Sequence, residues 1–240
     1  MDISKVTKIA RKALKLKYCG AVIVAAGTAS RMGGIDKVMA PLQGEPMLKR
    51  TVRTFQQCDA IKEIVIVTRE DLLERVSAMC AEFPKVMAVV VGGKDRPESV
   101  NNGLNALSKN VKLAAIQDGA RPLVTWQVID RVVRAANSYG AAAPAIPVKD
   151  TIKEVQGGVV LSTPDRSRLQ AVQTPQVFDL PDLLTALSQA VSEGAAITDD
   201  CSALERMGIP VYLVDGQESN IKITTPMDLK VAQLLWEERQ

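Results

Sequence analysis

Apolar residues follow two rhythms along this chain. Short runs rich in Val, Ile and Ala, at 21–24, 63–67, 86–91 and 112–117, have the length and β-branching of buried strands. Between them, apolar positions recur every three or four residues and predict helices over 46–57, 71–80, 99–107 and 125–137. In the first of these, Met47, Leu48, Val52 and Phe55 share one side, and Asp71 and Thr125 stand where N-caps belong. Strand and helix therefore alternate from Gly20 to Gly140. That alternation predicts an α/β fold in three layers, a mostly parallel sheet with helices on both faces. Three strands run into polar or small-residue loops: Ala25-Ala26-Gly27, Gly92-Gly93-Lys94 and Asp118-Gly119-Ala120-Arg121. In such a sheet these loops share one rim, at the carboxyl ends where ligands bind.

The rhythm changes after Gly140. Residues 141–148, 151–155 and 159–161 read as extended, and Gln156-Gly157-Gly158 is suited to a hairpin turn. This β-hairpin arm, at about 144–170, has edges that need cover. Clasping a second copy of the chain and folding back on its own domain both satisfy that need. A helix over 181–193, a strand over 211–214 and a closing helix over 228–236 complete the chain. Residues 1–17 form a basic extension, with Lys5, Lys8, Arg11, Lys12, Lys15 and Lys17 against one Asp2 and a small apolar face. Residues 18–240 read as one domain without repeats or linkers.

Composition narrows the chemistry. Of 240 residues, 30 are basic and 27 acidic, giving a net charge of +3, which is too even to argue for nucleic acid. No apolar run approaches the ~18 residues that span a bilayer, and no secretory signal core precedes the domain. Cys19, Cys58, Cys80 and Cys201 form no CxxC pair, as expected of reduced thiols in a cytoplasmic protein. There is no histidine, so Ser-His-Asp and Cys-His catalysis and His-ligated metals are excluded. Any chemistry runs on Lys, Arg, Asp, Glu, Ser, Thr and backbone groups.

The stretch Gly20 to Lys37 combines a buried strand, a loop of small residues, and the cations Arg31 and Lys37. Backbone amides freed of bulk approach phosphate oxygens closely, and the two cations neutralise their charge. A plain strand and turn reads the same residues equally well, so the remaining motifs decide.

Taken in order, AAGTASRMG with Lys37, GGKDRPESV, DGARP, PVKDT, DRSRLQAVQTPQ, ITDD and NIKITTPMDL resemble the sugar-alcohol-phosphate cytidylyltransferases. The match is to the branch acting on 2-C-methyl-D-erythritol 4-phosphate, and it covers about 18–235. The resemblance implies a nucleotide-diphospho-sugar-transferase-like fold and a homodimer joined by the arm. It also implies CTP and methylerythritol phosphate as substrates, with Mg²⁺ held mainly by the CTP phosphates. It places Ala25, Ala26 and Gly27 along the triphosphate, with Arg31 and Lys37 at the α-phosphate. Gly92, Gly93 and Ser99 contact cytosine and ribose, the glycines admitting the base to the backbone. Asp118, Gly119 and Arg121 lie between nucleotide and acceptor. Thr151, Arg166, Thr174, Thr198 and Lys222 hold the acceptor, with Arg166 and Lys222 on its phosphate and Thr151 and Arg166 reaching the partner's site. Two departures stand out: Asp36-Lys37-Val38 where the family commonly has Pro-Lys-Gln, one residue nearer the arginine, and Lys94 where many members have Asp.

The absent histidine fits this chemistry. A phosphate monoester has a second pKa of about 6 and reaches the enzyme deprotonated, so no general base is required. Positioning and charge neutralisation suffice. D-Ribitol-5-phosphate cytidylyltransferase shares the fold and chemistry, and Asp165-Arg166-Ser167-Arg168-Leu169 before QTPQ favours the methylerythritol branch. A non-catalytic nucleotide-binding regulator on this fold is the alternative of another class, and retention of Arg31, Lys37 and Lys222 argues against it.

Overall fold

The computed structural model describes residues 15–27 and 38–239. Its first strand, β1 (Cys19–Val24), lies inside an eight-stranded sheet. In chain order follow a short ribbon of β2 (Pro41–Leu42) and β3 (Glu45–Pro46), α1 (Met47–Gln57), β4 (Ile61–Thr68), α2 (Leu73–Cys80), β5 (Val86–Val91), α3 (Arg96–Asn105) and β6 (Leu113–Asp118). Then come α4 (Trp126–Tyr139), β7 (Ala141–Pro147), a hairpin of β8 (Glu154–Gln156) and β9 (Val159–Ser162), and β10 (Gln170–Val172). The chain closes with β11 (Gln176–Asp179), α5 (Leu180–Ser192), α6 (Asp200–Arg206), β12 (Tyr212–Asp215) and α7 (Pro226–Glu237).

The sheet order is β10-β7-β11-β6-β1-β4-β5, with β12 also on β7. β1 runs parallel to β4 and β6, β4 to β5, and β12 to β7. The exceptions are β11, antiparallel to β6 and β7, and β10, antiparallel to β7. The mostly parallel three-layer reading holds, and β10 and β11 are the strands of this sheet that it missed. Alternation sorts β1 between two cores. Cys19, Ala21 and Ile23 pack with α1, α2 and α4 on one face, and Val22 packs with α3, α5 and α6 on the other. A third cluster, with Leu42, Met47, Leu123, Ile223 and Ala232, seats α7.

Caps explain where the predicted helix boundaries shift. α3 begins at Arg96 rather than 99, because Asp95 accepts from the Glu98 amide at 2.9 Å and Pro97 suits the first turn. α7 begins at Pro226, behind a capping box of Thr225 and Asp228. Thr125 caps α4 as expected. Asp71 does not cap α2. It lies in a 3₁₀ turn (Glu70–Leu72), its carboxylate bonded to the Arg69 guanidinium, and α2 starts at Leu73 without a side-chain cap. α6 has no forerunner in the sequence reading, its seven residues being too few to show a period.

The hairpin forms where expected, on Gly157 and Gly158 with φ of 55° and 83°, the left-handed pair of a primed turn. It is a separate two-stranded sheet, and every residue of β8 and β9 is exposed. Residues 151–153 do not join a strand. At the other end, Leu16 packs on the first core and Lys17 pairs with Asp179 at 2.6 Å. The folded body is therefore under way by Leu16, two residues before position 18, while the basic helix proposed for the extension falls mostly outside the described residues.

Candidate active site

The three loops do share one rim. Val24 pairs with Asp118 across β1 and β6, and Thr68 with Val91 across β4 and β5. The Gly119 amide donates to the Val24 carbonyl and the Gly92 amide to the Thr68 carbonyl, both at 2.8 Å. Packing is tight enough to fix the residue types. A Cβ on Gly92 would lie 2.4 Å from the Ala26 Cβ, and one on Gly93 would lie 2.2 Å from the Glu98 Cγ. These glycines are thus required first by the protein's own neighbouring side chains, before any ligand arrives.

That changes the expected roles along the rim. The Gly93 amide donates to the Ser99 hydroxyl at 3.0 Å, and that hydroxyl donates to the Asp95 carbonyl at 2.8 Å. Ser99 is buried and shapes the loop, so its hydroxyl does not face out toward a ribose. Lys94 donates its amide to Glu98, Ala25 donates to the Val67 carbonyl, and Gly119 uses its carbonyl on Thr51. Neither the Ala26 nor the Gly27 amide bonds to another described residue. Arg31 and Lys37, with the rest of 28–37, lie outside the described residues.

Beside the rim sits a buried charge cluster centred on Asp118, at the end of β6. Its Oδ2 faces Lys222 Nζ at 2.9 Å and Arg121 Nε at 3.6 Å, and its Oδ1 faces Arg96 Nε at 3.9 Å. Burial works to raise the Asp118 pKa, but Lys222, Arg96 and Arg121 together outweigh it and hold the carboxyl below its ordinary value. Arg96 in turn forks onto Asp200, the first residue of α6, at 3.0 and 2.6 Å. Burial opposes the Arg96 charge, yet the Asp200, Asp118 and Asp199 carboxylates prevail and keep the guanidinium firmly protonated. Arg121 also donates to the Asn220 carbonyl at 2.7 Å. Three cations, Arg96, Arg121 and Lys222, thus meet the carboxylates of Asp118, Asp200 and Asp199. The Lys222 side chain, 42% exposed, is the one turned outward.

Two glutamines and a buried asparagine hold the loops that carry these charges. Gln173 bonds both backbone groups of Gln217 and accepts from the Asn220 side chain, which also donates to the Thr174 carbonyl. Gln176 accepts from the amides of Asp200 and Cys201 and donates to Asp199. Thr174 precedes a cis proline, and its hydroxyl accepts from the Asp118 amide at 3.2 Å. Thr174 is buried in this frame, so it orients Asp118 instead of projecting toward an acceptor. Thr198 is exposed, just before the Asp199 cap of α6.

Thr151 and Arg166 make no bond to the cluster. Both are exposed on the arm, Arg166 donates to the Lys149 carbonyl, and neither bonds to Asp118, Arg121 or Lys222. Sequence reasoning missed Arg96, Asp200, Gln173, Gln176 and Asn220. Four lie within the quoted motifs GGKDRPESV, ITDD and QTPQ, and Asn220 opens NIKITTPMDL. Among the described residues, no group of three or more His, Cys, Asp or Glu could hold a metal ion, and no helix is long and apolar enough to cross a membrane.

Comparison with known proteins identifies the family. The family profile described as 2-C-methyl-D-erythritol 4-phosphate cytidylyltransferase (IspD) matches residues 19–238. The chain is similar to the protein of that name from Symbiobacterium thermophilum, 46% identical over 219 residues, covering 90% of this chain and 92% of the relative. It is 44% identical over 219 residues to the one from Caldanaerobacter subterraneus subsp. tengcongensis, with 89% and 96% covered. Among solved structures, 4-diphosphocytidyl-2C-methyl-D-erythritol synthase from Anaerococcus prevotii superposes with a TM-score of 0.84 at 28% identity, covering 92% of this chain and 96% of that one.

Proposed function

The chain belongs to the 2-C-methyl-D-erythritol 4-phosphate cytidylyltransferase family, and from that premise we propose how its site carries out the reaction. It transfers CMP from CTP to 2-C-methyl-D-erythritol 4-phosphate, giving 4-diphosphocytidyl-2-C-methyl-D-erythritol and pyrophosphate for isoprenoid biosynthesis. A phosphate oxygen of the acceptor attacks the α-phosphorus of CTP, and the bond to pyrophosphate breaks. The observation that carries the assignment of roles is the junction at Val24 and Asp118, where the close-packed rim meets a charge cluster whose Lys222 ammonium is turned outward.

On this reading Ala26 and Gly27 offer amides to the triphosphate, and Arg31 and Lys37 stabilise the charge developing at the α-phosphate. Lys222 moves from Asp118 onto the acceptor phosphate, and Arg121 and Asp118 mark the boundary between the two substrates. Thr198 lines the acceptor's approach. Thr151 and Arg166, exposed on the arm and unbonded to their own cluster, complete the site of a second copy.

Mg²⁺ would be held mainly by the oxygens of the triphosphate, because the Asp118 carboxylate is already faced by three cations. The ion neutralises phosphate charge when present. The chain's own residues bind, align and exclude water. The homodimer reading rests on the arm, where Val155, Val159, Val160 and Leu161 are each more than half exposed. Four free, buried cysteines accord with a cytoplasmic setting.

The test is pyrophosphate release, measured with each of the four nucleoside triphosphates against methylerythritol phosphate and ribitol 5-phosphate. We expect turnover with CTP and methylerythritol phosphate alone. Turnover with ribitol phosphate and none with methylerythritol phosphate would overturn the acceptor assignment. Shortening the hairpin at 155–160 is expected to yield a monomer by sedimentation, and a dimer that persists would remove the arm from the interface.

A further inference from the structure

The two oxygens of Asp118 are divided between different partners. Oδ2 takes Lys222 at 2.9 Å and Arg121 at 3.6 Å, and Oδ1 faces Arg96 at 3.9 Å. Arg96 is not free to close that distance, because both of its terminal nitrogens are forked onto Asp200, which is fully buried. It starts α3, so its backbone is fixed by the Asp95 cap, and Asp200 is fixed by two amide bonds to Gln176.

We propose that Arg96 is a positioning residue for acceptor binding, setting how tightly Asp118 holds the Lys222 ammonium. Anchored on Asp200, it draws part of the Asp118 charge toward Oδ1. Lys222 is thereby held in place without being fully neutralised, and an incoming phosphate can take it over. The idea rests on the proposed role of Lys222 toward the acceptor phosphate.

It makes a signed prediction that simple loss of a structural pair does not. In Arg96→Met, Asp118 faces only Lys222 and Arg121, so Lys222 is held harder. In Asp200→Asn, more of the Arg96 charge falls on Asp118, so Lys222 is held less. Steady-state kinetics should show the acceptor KM raised about tenfold in the first variant and lowered about threefold in the second, with the KM for CTP nearly constant in both. If the pair only braces α3 against α6, both variants raise the acceptor KM and lower the melting temperature together. That result overturns the proposal.

Arg96→Met leaves a buried carboxylate unpaired and is at risk of misfolding. The double variant Arg96→Met/Asp200→Leu removes both charges, which is often neutral for stability. It should melt near the wild type and still show the raised acceptor KM. Recovery of that KM along with stability would again count against positioning. Lys222→Ala separates the two layers of the argument. A raised acceptor KM there, with Arg96→Met and Asp200→Asn both raised, sinks the Arg96 proposal alone. An unchanged one sinks the Lys222 assignment, and the proposal with it.

Discussion

Two adjoining regions meet at Asp118, and they are assembled in contrary ways. Along the rim, Gly92 and Gly93 fit only because side-chain atoms are missing, and most of the backbone amides are used internally. In the neighbouring cluster, long charged side chains fill the space, and Asp118 is shared among three cations. The rim is sensitive to an added atom and the cluster to a lost charge. Each material suits its proposed partner. A triphosphate can be held by backbone amides aimed at its oxygens. A small acceptor phosphate needs a movable cation, and a movable cation needs a counter-ion while it waits.

Substitutions can break that contrast or sharpen it. The largest effect should follow Asp118→Ala, which leaves Arg121 buried beside no carboxylate and is expected to destabilise by about 3–5 kcal/mol in urea unfolding. A midpoint close to wild type would show that the cluster is not a charge-held structure. Next come Arg31→Ala and Lys37→Ala, each expected to lower kcat by at least ~10² with an unchanged melting temperature. Near-normal kcat in both removes their transition-state role. Adding one methyl to the rim, in Gly92→Ala, should destabilise by about 1–3 kcal/mol, with partial recovery when Ala26→Gly removes the colliding Cβ. No recovery means that the strain lies elsewhere.

The pH dependence addresses the cluster directly. The Asp118 pKa is depressed in the folded state, so its stabilisation is present above the ordinary value of 3.8 and disappears as pH falls through the lower folded value. The melting-temperature gap between wild type and Asp118→Asn should therefore be constant near neutrality and narrow below about pH 4. A gap that widens in acid contradicts the depressed pKa. Smallest is Ser99→Ala, which leaves the Gly93 amide without its acceptor. It should cost about 1 kcal/mol and raise the KM for CTP a few-fold, and a change confined to the acceptor KM would break the division between the two regions.

The sheet was legible because its parallel strands are short apolar runs buried on both faces, as Ile64 to Val67 in β4 show. β11 was not: QVFD sits directly after QTP, without helical or strand spacing of its own, and pairs antiparallel where parallel alternation was expected. Site residues announced by glycine or by exposed charge, such as Gly92 and Lys222, could be picked out in the motifs. Arg96 was passed over because nothing local distinguishes it. Its partners Asp118 and Asp200 lie 22 and 104 positions away, and only the fold brings them together. The assigned reasons were harder to read than the positions. Ser99 and Thr174 were chosen as ligand contacts, and both turn their hydroxyls inward on the backbone.

The amides of Gln173 and Gln176 give the site a property that its charges alone would lack. Themselves uncharged, they fasten the segments around Gln217 and Cys201 through bonds to main-chain groups. Raising ionic strength from 0.1 to 1 M shortens the Debye length from about 10 to 3 Å and mutes attraction between a dissolved polyanion and the cations awaiting it. Amide mounts are largely indifferent to that change. Concentrated electrolyte should thus weaken the capture of substrates while the scaffold that aims Asp200 and Lys222 keeps its shape, an enzyme that loses affinity in brine before it loses form.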